Sequence, residues 1–542
     1  MVNRTSQDAP EVAPSSSPEV VYSSGYDADK ADITKIERVL SGDDAMEKTH
    51  INYDRMDKEL AKYANASAIT ITPEDDKRLK RMIDKRVLPV MVFTYFLQAL
   101  DKGTMSFASI MGIRDDIPAL SNTHNYGWLT TCIYIGVLVV EYPTNWLIQR
   151  VPLAKYLSLN IILWSITLAC HAACKSFPAL LVVRTLLGIF EAVCQPTFLI
   201  LSSMWYKREE QATIVTLWYM MNGGQQIVGG LLAYCFSLIP SGGPLAGWQA
   251  IFLTYGCFSL LWGGFVLWWL PDSPMRAKCF SEEDKVLMIE RVRANQTGIQ
   301  NKSFRKEQIY EALLDPQTWC YCLIAICTTL PTSGLGSFSQ IIIKSFDFTI
   351  LQTQLLAMVL GVVIVITLVS STWIVQKTSQ KNTIIMAIYV IPSFVGTIVL
   401  MSVKNDGSKA KQAGLLISYY MVLSFWAAQT LAMSLLSRNI AGQTKKTVVL
   451  AMNFVSWSVG NAIGPQVFLP NDGPRYFTAF AVHMGCYVLL VLVILFLRFN
   501  LMSRNNTKDR LAAEVAEARD EGLVHAFEDL TDRENPAFRY MY

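Results

Sequence analysis

Five charged residues lie inside apolar stretches of the chain, where a charge is costly. They are Asp101, Lys102, Glu141, Arg184 and Glu191. Within a membrane span such a charge costs about 2.5–3.5 kcal/mol on insertion scales, so it needs a partner, a wet cavity or a route to the surface. A carboxyl group placed there can carry a proton, and a buried cation can bind an anion. These residue types therefore point to anion binding and proton movement.

Arg184 and Glu191 are seven residues apart, with Gly188 between them. Seven helical residues turn through about 700°, so the two side chains face the same way, about 10 Å apart along the axis. That distance is too long for a comfortable direct ion pair, so we expect both to contact other helices, which Gly188 allows to approach closely. Arg184 lies about 9 Å from the outer end of the fourth apolar run, so its side chain could alternatively extend to the lipid headgroups. Glu191 lies about 20 Å from that end and cannot reach them as easily.

Lys102 is predicted to lie at nearly the depth of Arg184, and two cations facing one cavity would bind an anion. The side chain of Asp101 points about 100° away from that of Lys102, which favours a role in helix packing, with proton coupling as a second candidate role. Glu191 is the main candidate proton carrier, because moving a nearby cation between two conformations would change its proton affinity. Glu141 is either a further gating residue or the partner of a loop cation.

Neutral polar residues in later apolar runs are candidate substrate contacts or, equally, hydrogen bonds between helices. They are Asn222, Gln225, Gln429, Asn453 and Asn461.

The elements that must position these residues are apolar runs of about 20 residues, the length that crosses a bilayer as a helix. Twelve such runs lie near residues 87–111, 126–148, 153–173, 177–204, 212–238, 248–270, 318–340, 354–376, 383–402, 413–436, 447–468 and 477–498. The expected fold class is thus an all-α membrane protein with twelve transmembrane helices. An even number of spans leaves both chain termini on one side of the bilayer.

Composition supports this class and excludes others. Hydrophobic residues make up 52% of the 542 residues and charged residues 17%, far from the balance of a water-soluble globule. A net charge of +3, without a basic stripe, argues against nucleic-acid binding. The sequence shows no metal-ligand cluster, nucleophile elbow or phosphate-binding loop, so we expect neither an enzyme nor a cofactor.

Loop charges predict which side faces the cytosol. Lysine and arginine crowd the approach to the first span and recur at Arg150 with Lys155 and at Lys377 with Lys381, all on the side of the termini. Both termini are therefore expected in the cytosol. The expected segments are a mostly disordered tail (1–85), a six-helix bundle (86–270), a cytosolic linker with short helices (271–316), a second six-helix bundle (317–498) and a cytosolic tail (499–542).

The two bundles also show an internal repeat. The sequence from Trp146 to Arg150 ends the second span, and Trp373 to Lys377 ends the eighth in the same pattern of tryptophan, two aliphatic residues, glutamine and a cation. Matches at corresponding positions of two six-span halves predict a parallel repeat, with a binding site between the halves near the bilayer midplane.

Motifs along the chain make it resemble the major facilitator superfamily, and within it the anion:cation symporter branch around the fungal allantoate permease-like group. The matching stretches are Thr72-Pro-Glu-Asp-Asp, Leu100-Asp-Lys102, Arg184-x-x-x-Gly188-x-x-Glu191-Ala192, Gly247-Trp248-x-x-x-Phe252, Leu270-Pro-Asp-Ser-Pro274, Asp315-Pro-Gln-Thr-Trp319, Gly442-Gln-Thr-Lys-Lys446, Gly460-Asn-Ala-Ile-Gly-Pro-Gln466 and residues 529–540. The resemblance implies proton-linked uptake of a small organic anion, such as a ureido acid, a carboxylate vitamin or a small peptide.

The resemblance also implies residue roles. Arg184 and Glu191 match the fourth-helix pair linked to gating and proton coupling, and Lys102 matches a first-helix cation. In the loop after the second span Gln149 replaces the usual acidic residue, so Arg150 and Lys155, with Lys377 as the second-half counterpart, are the expected cytosolic gate. The expected protein is a monomeric symporter of the plasma membrane; an exporter of a metabolite or drug and a non-transporting nutrient sensor are the alternatives.

Overall fold

The structure is a computed structural model that describes residues 71–148, 150–240, 245–293, 305–378, 381–515, 531–535 and 538–542. The expectation of disorder in the N-terminal tail falls mostly on residues 1–70, outside these ranges. So does Gln149.

The secondary structure of the described residues is helical throughout. The first half contains α1 (Pro73–Arg86), α2 (Leu88–Ala108), α3 (Thr123–Ile148), α4 (Leu153–Cys170), α5 (Phe177–Glu191), α6 (Cys194–Trp205), α7 (Arg208–Tyr219), α8 (Met221–Ser237) and α9 (Gly247–Trp269). The linker holds α10 (Glu282–Arg293) and α11 (Lys306–Leu314). The second half contains α12 (Pro316–Lys344), α13 (Ile350–Lys377), α14 (Asn382–Ser402), α15 (Lys409–Val422), α16 (Trp426–Asn439), α17 (Gln443–Ile463) and α18 (Phe477–Val515). Short helical turns cover Ile113–Asp116, Pro118–Ser121, His171–Ala173, Leu423–Phe425, Gly464–Val467 and Pro470–Asp472.

Ten helices or helix pairs in the described residues are long and apolar enough to cross a membrane. The other two predicted spans are α2 and the pair α7–α8, which occupy the first and fifth positions. These two are more polar because α2 contains Asp101 and Lys102, and α8 contains Asn222 and Gln225. The predicted all-α fold with twelve spans is confirmed.

The two halves pack against each other through α2 with α12, α3 with α17, and α8 with α13. The tightest of these contacts needs glycine: a Cβ atom on Gly361 would lie 2.5 Å from the carbonyl oxygen of Gly223. We call the two ends of the spans the basal side and the distal side. The basal side carries α1, the linker helices and residues 531–535 and 538–542. The distal side carries the connections 109–122 and 464–476.

A buried arginine holds the linker to the first half on the basal side. The guanidinium of Arg291 in α10 donates to Asp76 of α1 (2.8 Å) and to Glu210 of α7 (2.7 Å), and Lys207 also pairs with Asp76 (2.7 Å). Burial raises the pKa of Asp76, but the hydrogen bonds from Lys207 and Arg291 outweigh it and leave the pKa below its usual value. We call these four residues the first basal cluster.

A buried lysine plays the same part in the second half. The ammonium of Lys445 in α17 binds Glu311 of α11 (2.9 Å), Asp315 at the start of α12 (2.9 Å) and Asp532 (2.7 Å). Arg504 of α18 binds Asp315 as well (2.6 Å). Burial raises the pKa of Asp315, yet the hydrogen bond from Arg504 and the charge of Lys445 bring it down to about 2. We call these five residues the second basal cluster.

Residues 531–535 and 538–542, which we call the C-terminal strap, pack across the basal end of the second half. Asn505 exchanges two hydrogen bonds with the backbone of Tyr540 (2.8 and 2.9 Å), and Asn439 exchanges two with that of Met541 (2.7 and 2.8 Å). The Tyr540 hydroxyl donates to Asp532 (2.8 Å). The expected tail boundary at 499 therefore does not mark a structural break, because α18 continues to Val515 and its basal residues bind the strap.

Candidate functional site

A break in the fourth span places Glu191. Helix α5 ends at Glu191 and α6 begins at Cys194. Pro196 has no backbone N–H for the carbonyl of Ala192, so the regular hydrogen-bond ladder is interrupted there. In the same turn, the carbonyl oxygen of Glu191 accepts a hydrogen bond from the Gln98 side chain on α2 (3.1 Å). The break and this bond tie the fourth span to the first at the level of the candidate proton carrier.

Glu191 forms an ion pair with Lys102. The Lys102 Nζ atom lies 3.3 Å from Glu191 Oε2, with the glutamate side chain fully buried and the lysine side chain 26% exposed. The carboxylate is thus enclosed by protein, while the side chain of its cationic partner is partly exposed. The pair joins a buried titratable group of the fourth span to a cation of the first span.

Arg184 lies deeper in the first half, with its side chain only 1% exposed. Its guanidinium stands 5.7 Å from the centroid of the Phe252 ring, on which His171 stacks at 5.0 Å. Within the described residues, its Nε and Nη2 atoms have no hydrogen-bond partner. The side chain does not reach the surface, so the snorkelling alternative does not describe this conformation. The structure buries Arg184 and leaves the Lys102 side chain partly exposed, so a cavity shared by the two cations stays a prediction.

Asp101 is fully buried in the first half. It faces Trp164 of α4 and Ser259 of α9, and neither carboxylate oxygen has a hydrogen-bond partner among the described residues within normal geometry. The adjacent residues Asp101 and Lys102 therefore diverge as their 100° separation predicts. Asp101 and Arg184 form the inner, enclosed part of the charged site.

A close helix crossing brings the second span to this site. A Cβ atom on Gly188 would lie 2.2 Å from the carbonyl oxygen of Ile133, and one on Gly136 would lie 2.8 Å from that of Thr185. No larger residue fits at either position without moving a backbone, because the atoms in the way are main-chain atoms. The crossing places Tyr134, the neighbour of Ile133, beside Lys102.

Aromatic residues from both halves meet at Tyr134, which lies near Lys102, and sequence reasoning did not find them. Tyr134 of α3 meets Trp457 of α17 edge to face, with ring centroids 5.5 Å apart, and Phe454 stacks on Trp457 at 5.4 Å. Tyr134 and Trp457 join the two halves across the cleft. No sequence signal separates them from the chain's other aromatic residues, since aromatic side chains are common in apolar helices.

Comparison with known proteins decides the family. The model of the Major Facilitator Superfamily matches residues 91–465, which is most of the chain. The chain belongs to the Major Facilitator Superfamily. It is similar to the allantoate permease of Saccharomyces cerevisiae, at 31% identity over 90% of each chain. It is also similar to an uncharacterized transporter of Schizosaccharomyces pombe, at 34% identity over 87% of this chain and 89% of the relative. The resemblance to the allantoate permease-like group is confirmed.

Solved structures share the fold of this superfamily member. A D-xylose–proton symporter aligns with a TM-score of 0.59 at 14% identity, covering 76% of this chain and 96% of the symporter. A bacterial homologue of the human lysosomal transporter Spinster, in an inward-facing conformation, aligns with a TM-score of 0.54 at 15% identity, covering 79% and 97%. Together with the apolar spans, these findings identify a multi-pass membrane transporter.

The neutral polar candidates of this major facilitator protein lie in both halves. Asn222 donates to the Tyr95 hydroxyl (3.0 Å) and to the Tyr219 carbonyl (2.9 Å), so it joins the fifth span to the first. Asn461 donates to the Trp457 carbonyl (2.8 Å) within its own helix. Gln225 packs against Gly103, next to Lys102; Gln429 is buried in α16; and Asn453 contacts the sulfur of Met433 (3.2 Å). Of the five, Gln225 is packed against the chain segment that carries Lys102.

The predicted gate residues lie at the basal ends of the superfamily's two repeats. Arg150 and Lys377 each stand 4.0 Å from the centroid of a tryptophan on their own span, Trp146 and Trp373 respectively. These matched cation–π contacts are the structural form of the repeat seen in the sequence. Lys155 is exposed in the first turn of α4.

Glu141, the other gating candidate, does not follow the expected pairing with a loop cation. Its Oε1 atom accepts from Asn145 (2.9 Å), because residues four apart are neighbours on one helix face. Its Oε2 atom has no hydrogen-bond partner among the described residues.

Hydrogen bonds on the distal side join the two halves, and the sequence did not reveal them. Thr131 donates to the Ala462 carbonyl (2.7 Å) and accepts from Gln466 (2.8 Å). Tyr126 donates to the Ser337 carbonyl (3.0 Å), and the Ser106 and Ser339 hydroxyls are 3.1 Å apart. We call these residues the distal gate. They join the first span to the seventh and the second span to the seventh and eleventh.

Thr131→Val is expected to weaken the distal gate and shift the protein toward closure on the basal side. Two hydrogen bonds between the halves are lost, at about 1 kcal/mol each, which changes the ratio of conformations roughly thirtyfold. Single-molecule energy transfer between dyes at Arg150 and Lys377 measures the basal separation. Thr372→Val is the control, because the Thr372 hydroxyl bonds only within α13, to Leu368 (2.8 Å). An unchanged distance distribution in the Thr131 variant would show that the gate is held by other contacts.

Proposed function

We propose that this transporter takes up a small organic anion together with protons by alternating access. The observation that carries the proposal is the ion pair between Lys102 and Glu191, in which the glutamate side chain is fully buried and the lysine side chain is partly exposed. A buried charge without a partner is strongly disfavoured, so Lys102 and Glu191 cannot be separated unless each finds another counterpart.

The pair supports coupling because Lys102 can serve one carboxylate at a time. When the carboxylate of the substrate binds Lys102, Glu191 loses its counter-charge and takes up a proton. When the proton leaves, Glu191 reclaims Lys102 and the substrate is released. Binding of the anion and binding of the proton therefore favour each other, as reciprocal coupling requires.

Arg184 and Asp101 support this exchange from inside the first half. The guanidinium of Arg184 is a fixed positive charge on the same helix as Glu191, and it favours return of the negative charge after substrate release. Asp101, which points about 100° away from Lys102 around the first span, is the second candidate for a proton. Their roles as gating residues are part of the proposal.

The proposed substrate is a carboxylate with a flat, delocalised body. Lys102 supplies the cation, Tyr134 supplies an aromatic ring near it, and Trp457 of the second half packs edge to face on Tyr134. Ureido acids, carboxylate vitamins and small peptides each combine a carboxylate with a planar ureido group, ring or amide, and the Saccharomyces cerevisiae relative is named an allantoate permease. Gln225 beside Gly103 is the proposed hydrogen-bonding contact.

The excess of cations on the basal side supports an orientation with that side in the cytosol. On this basis both termini are cytosolic, the plasma membrane is the proposed location, and a monomer is the working unit. Arg150, Lys155 and Lys377 then form the proposed cytosolic gate.

Uptake by cells expressing the chain tests the proposal. The panel consists of radiolabelled allantoate, ureidosuccinate, nicotinate, pantothenate and dipeptides, each measured with and without a protonophore. At least one compound should accumulate, and the protonophore should abolish its accumulation. Accumulation that survives the protonophore would exclude proton coupling.

Lys102→Met is expected to lower Vmax/KM for that compound about 100-fold, close to 3 kcal/mol, because the anion loses its buried counter-charge. Lys102→Arg should retain part of the activity. Lys409→Met, at an exposed position outside the site, is the control. Parent-like kinetics for Lys102→Met would remove Lys102 from the substrate site.

A further inference from the structure

The linker helix α11 has its polar side turned toward the protein. The Gln308 side chain accepts hydrogen bonds from the backbone N–H groups of Thr444 (3.1 Å) and Lys445 (3.2 Å), so it caps the first turn of α17. Glu311, three residues later on the same face, binds the Lys445 ammonium. The inward side of α11 thus consists of groups that satisfy a helix terminus and a buried charge.

The opposite side of α11 is apolar and uncovered in the second half of the helix, after the exposed Lys306 and Glu307 of its first turn. Tyr310 is 66% exposed, Leu313 42% and Leu314 76%, and their spacing places all three on one face. A helix on a water-facing surface has the reverse arrangement, with apolar residues turned inward. This reversal indicates that the medium outside α11 is not water.

The apolar face continues into the seventh span. Trp319, in the first turns of α12, is 52% exposed, and its indole N–H donates to the Leu313 carbonyl (2.8 Å). Leu323, one helical turn further, is exposed on the same side of α12. A span of this family contacts lipid on its exposed side, and tryptophan prefers the boundary between headgroups and acyl chains. The surface from Leu314 through Trp319 to Leu323 is therefore continuous with the lipid-facing surface.

We propose that α11 lies in the basal leaflet of the bilayer, with Tyr310, Leu313 and Leu314 inserted at the boundary between headgroups and acyl chains. Burying leucine side chains away from water is favourable, so inserting two of them helps to hold this nine-residue helix at the bilayer surface. The tyrosine hydroxyl can remain among the headgroups. The inference does not depend on the direction of transport or on its substrate.

This placement gives α11 two attachments, one to lipid and one to the second basal cluster. Glu311 and Gln308 hold the start of α17, which carries Lys445, while the opposite face holds the bilayer. The basal end of the eleventh span is thereby fixed in depth relative to the membrane, although α11 is outside the spans.

Photo-crosslinking tests the proposal. The photoreactive amino acid p-benzoylphenylalanine replaces Leu314 in the full-length chain, which is reconstituted in nanodiscs containing a phospholipid with a fluorescent acyl chain. Replacement of Leu261, exposed in the middle of α9, is the positive control, and replacement of Glu283, exposed on α10 of the same linker, is the negative control. If the Leu314 variant is not produced, Tyr310 on the same face takes its place.

The expected result is a fluorescent lipid adduct at position 314, as at position 261, and no adduct at position 283. An adduct at 314 no stronger than at 283 would overturn the proposal. A crosslink from 314 to a second copy of the chain in place of lipid would also overturn it, because that result makes the face a protein interface.

Discussion

Glu191→Gln is expected to abolish accumulation of the substrate while leaving its exchange across the membrane intact. Glutamine keeps the shape of the side chain but can neither hold a negative charge nor bind a proton. Lys102, at 3.3 Å from Glu191 in the parent, then has no carboxylate to return to when the substrate leaves. The variant should cycle with the anion bound and lose the step that requires proton release.

The measurement uses proteoliposomes with an imposed pH difference. With one proton per anion, one pH unit supports about tenfold accumulation, equivalent to about 1.4 kcal/mol. We expect a tenfold ratio in the parent and a ratio near one in the variant, with counterflow of labelled substrate retained. Glu283→Gln, exposed on α10, is the control and should behave like the parent. A Glu191 variant that still concentrates substrate tenfold would assign proton coupling to another residue, with Asp101 the next to test.

Lys445→Met is expected to cause a large loss of folding stability. The change leaves Asp315 and Asp532, both fully buried, and Glu311 without their shared cation. Removing one partner of a buried ion pair lowers the free energy of unfolding by about 3–5 kcal/mol. Arg504 still binds Asp315, so the loss falls mainly on Asp532 and the C-terminal strap.

Thermal unfolding in detergent, followed by strap-specific hydrogen exchange, measures this effect. The melting temperature should fall, and the amides of Tyr540 and Met541 should exchange faster than in the parent. Lys409→Met is the control. Acid gives an independent check: the folded pKa of Asp315, about 2, lies below its unfolded value near 3.9, so its contribution is present above pH 5 and is lost as the pH falls toward 2. A Lys445 variant with the melting temperature and exchange rates of the parent would show that the cluster contributes little.

Helix arithmetic predicts much of the charged site because it needs only the positions within one span. Glu191 follows Arg184 by seven positions, and Lys102 directly follows Asp101, so their relative directions follow from 100° per residue. The pairing of Lys102 with Glu191 does not follow in the same way. It depends on how closely the first and fourth spans approach and on the break before Pro196, which involve packing between helices.

The distal gate and the C-terminal strap escaped prediction for a different reason. Thr131 and Gln466 are 335 residues apart, and their hydrogen bond exists only because two halves of the fold meet. Asp532 lies in a polar segment with no periodic pattern, and its burial depends on Lys445, whose charge reads as an ordinary loop cation. Neutral hydroxyl groups and isolated charges carry no sequence signal of a distant partner.

The C-terminal strap also sets an order of events during synthesis at the ribosome. Lys445 enters the membrane region with the eleventh span, about 90 residues before the ribosome makes Asp532, whose carboxylate it binds. Until then Lys445 in the newly made second half lacks its partner Asp532. Its basal end can complete assembly only after translation of the strap, so a message with a late premature stop codon would yield a chain with all twelve spans and an unfinished core for cellular quality control to recognise.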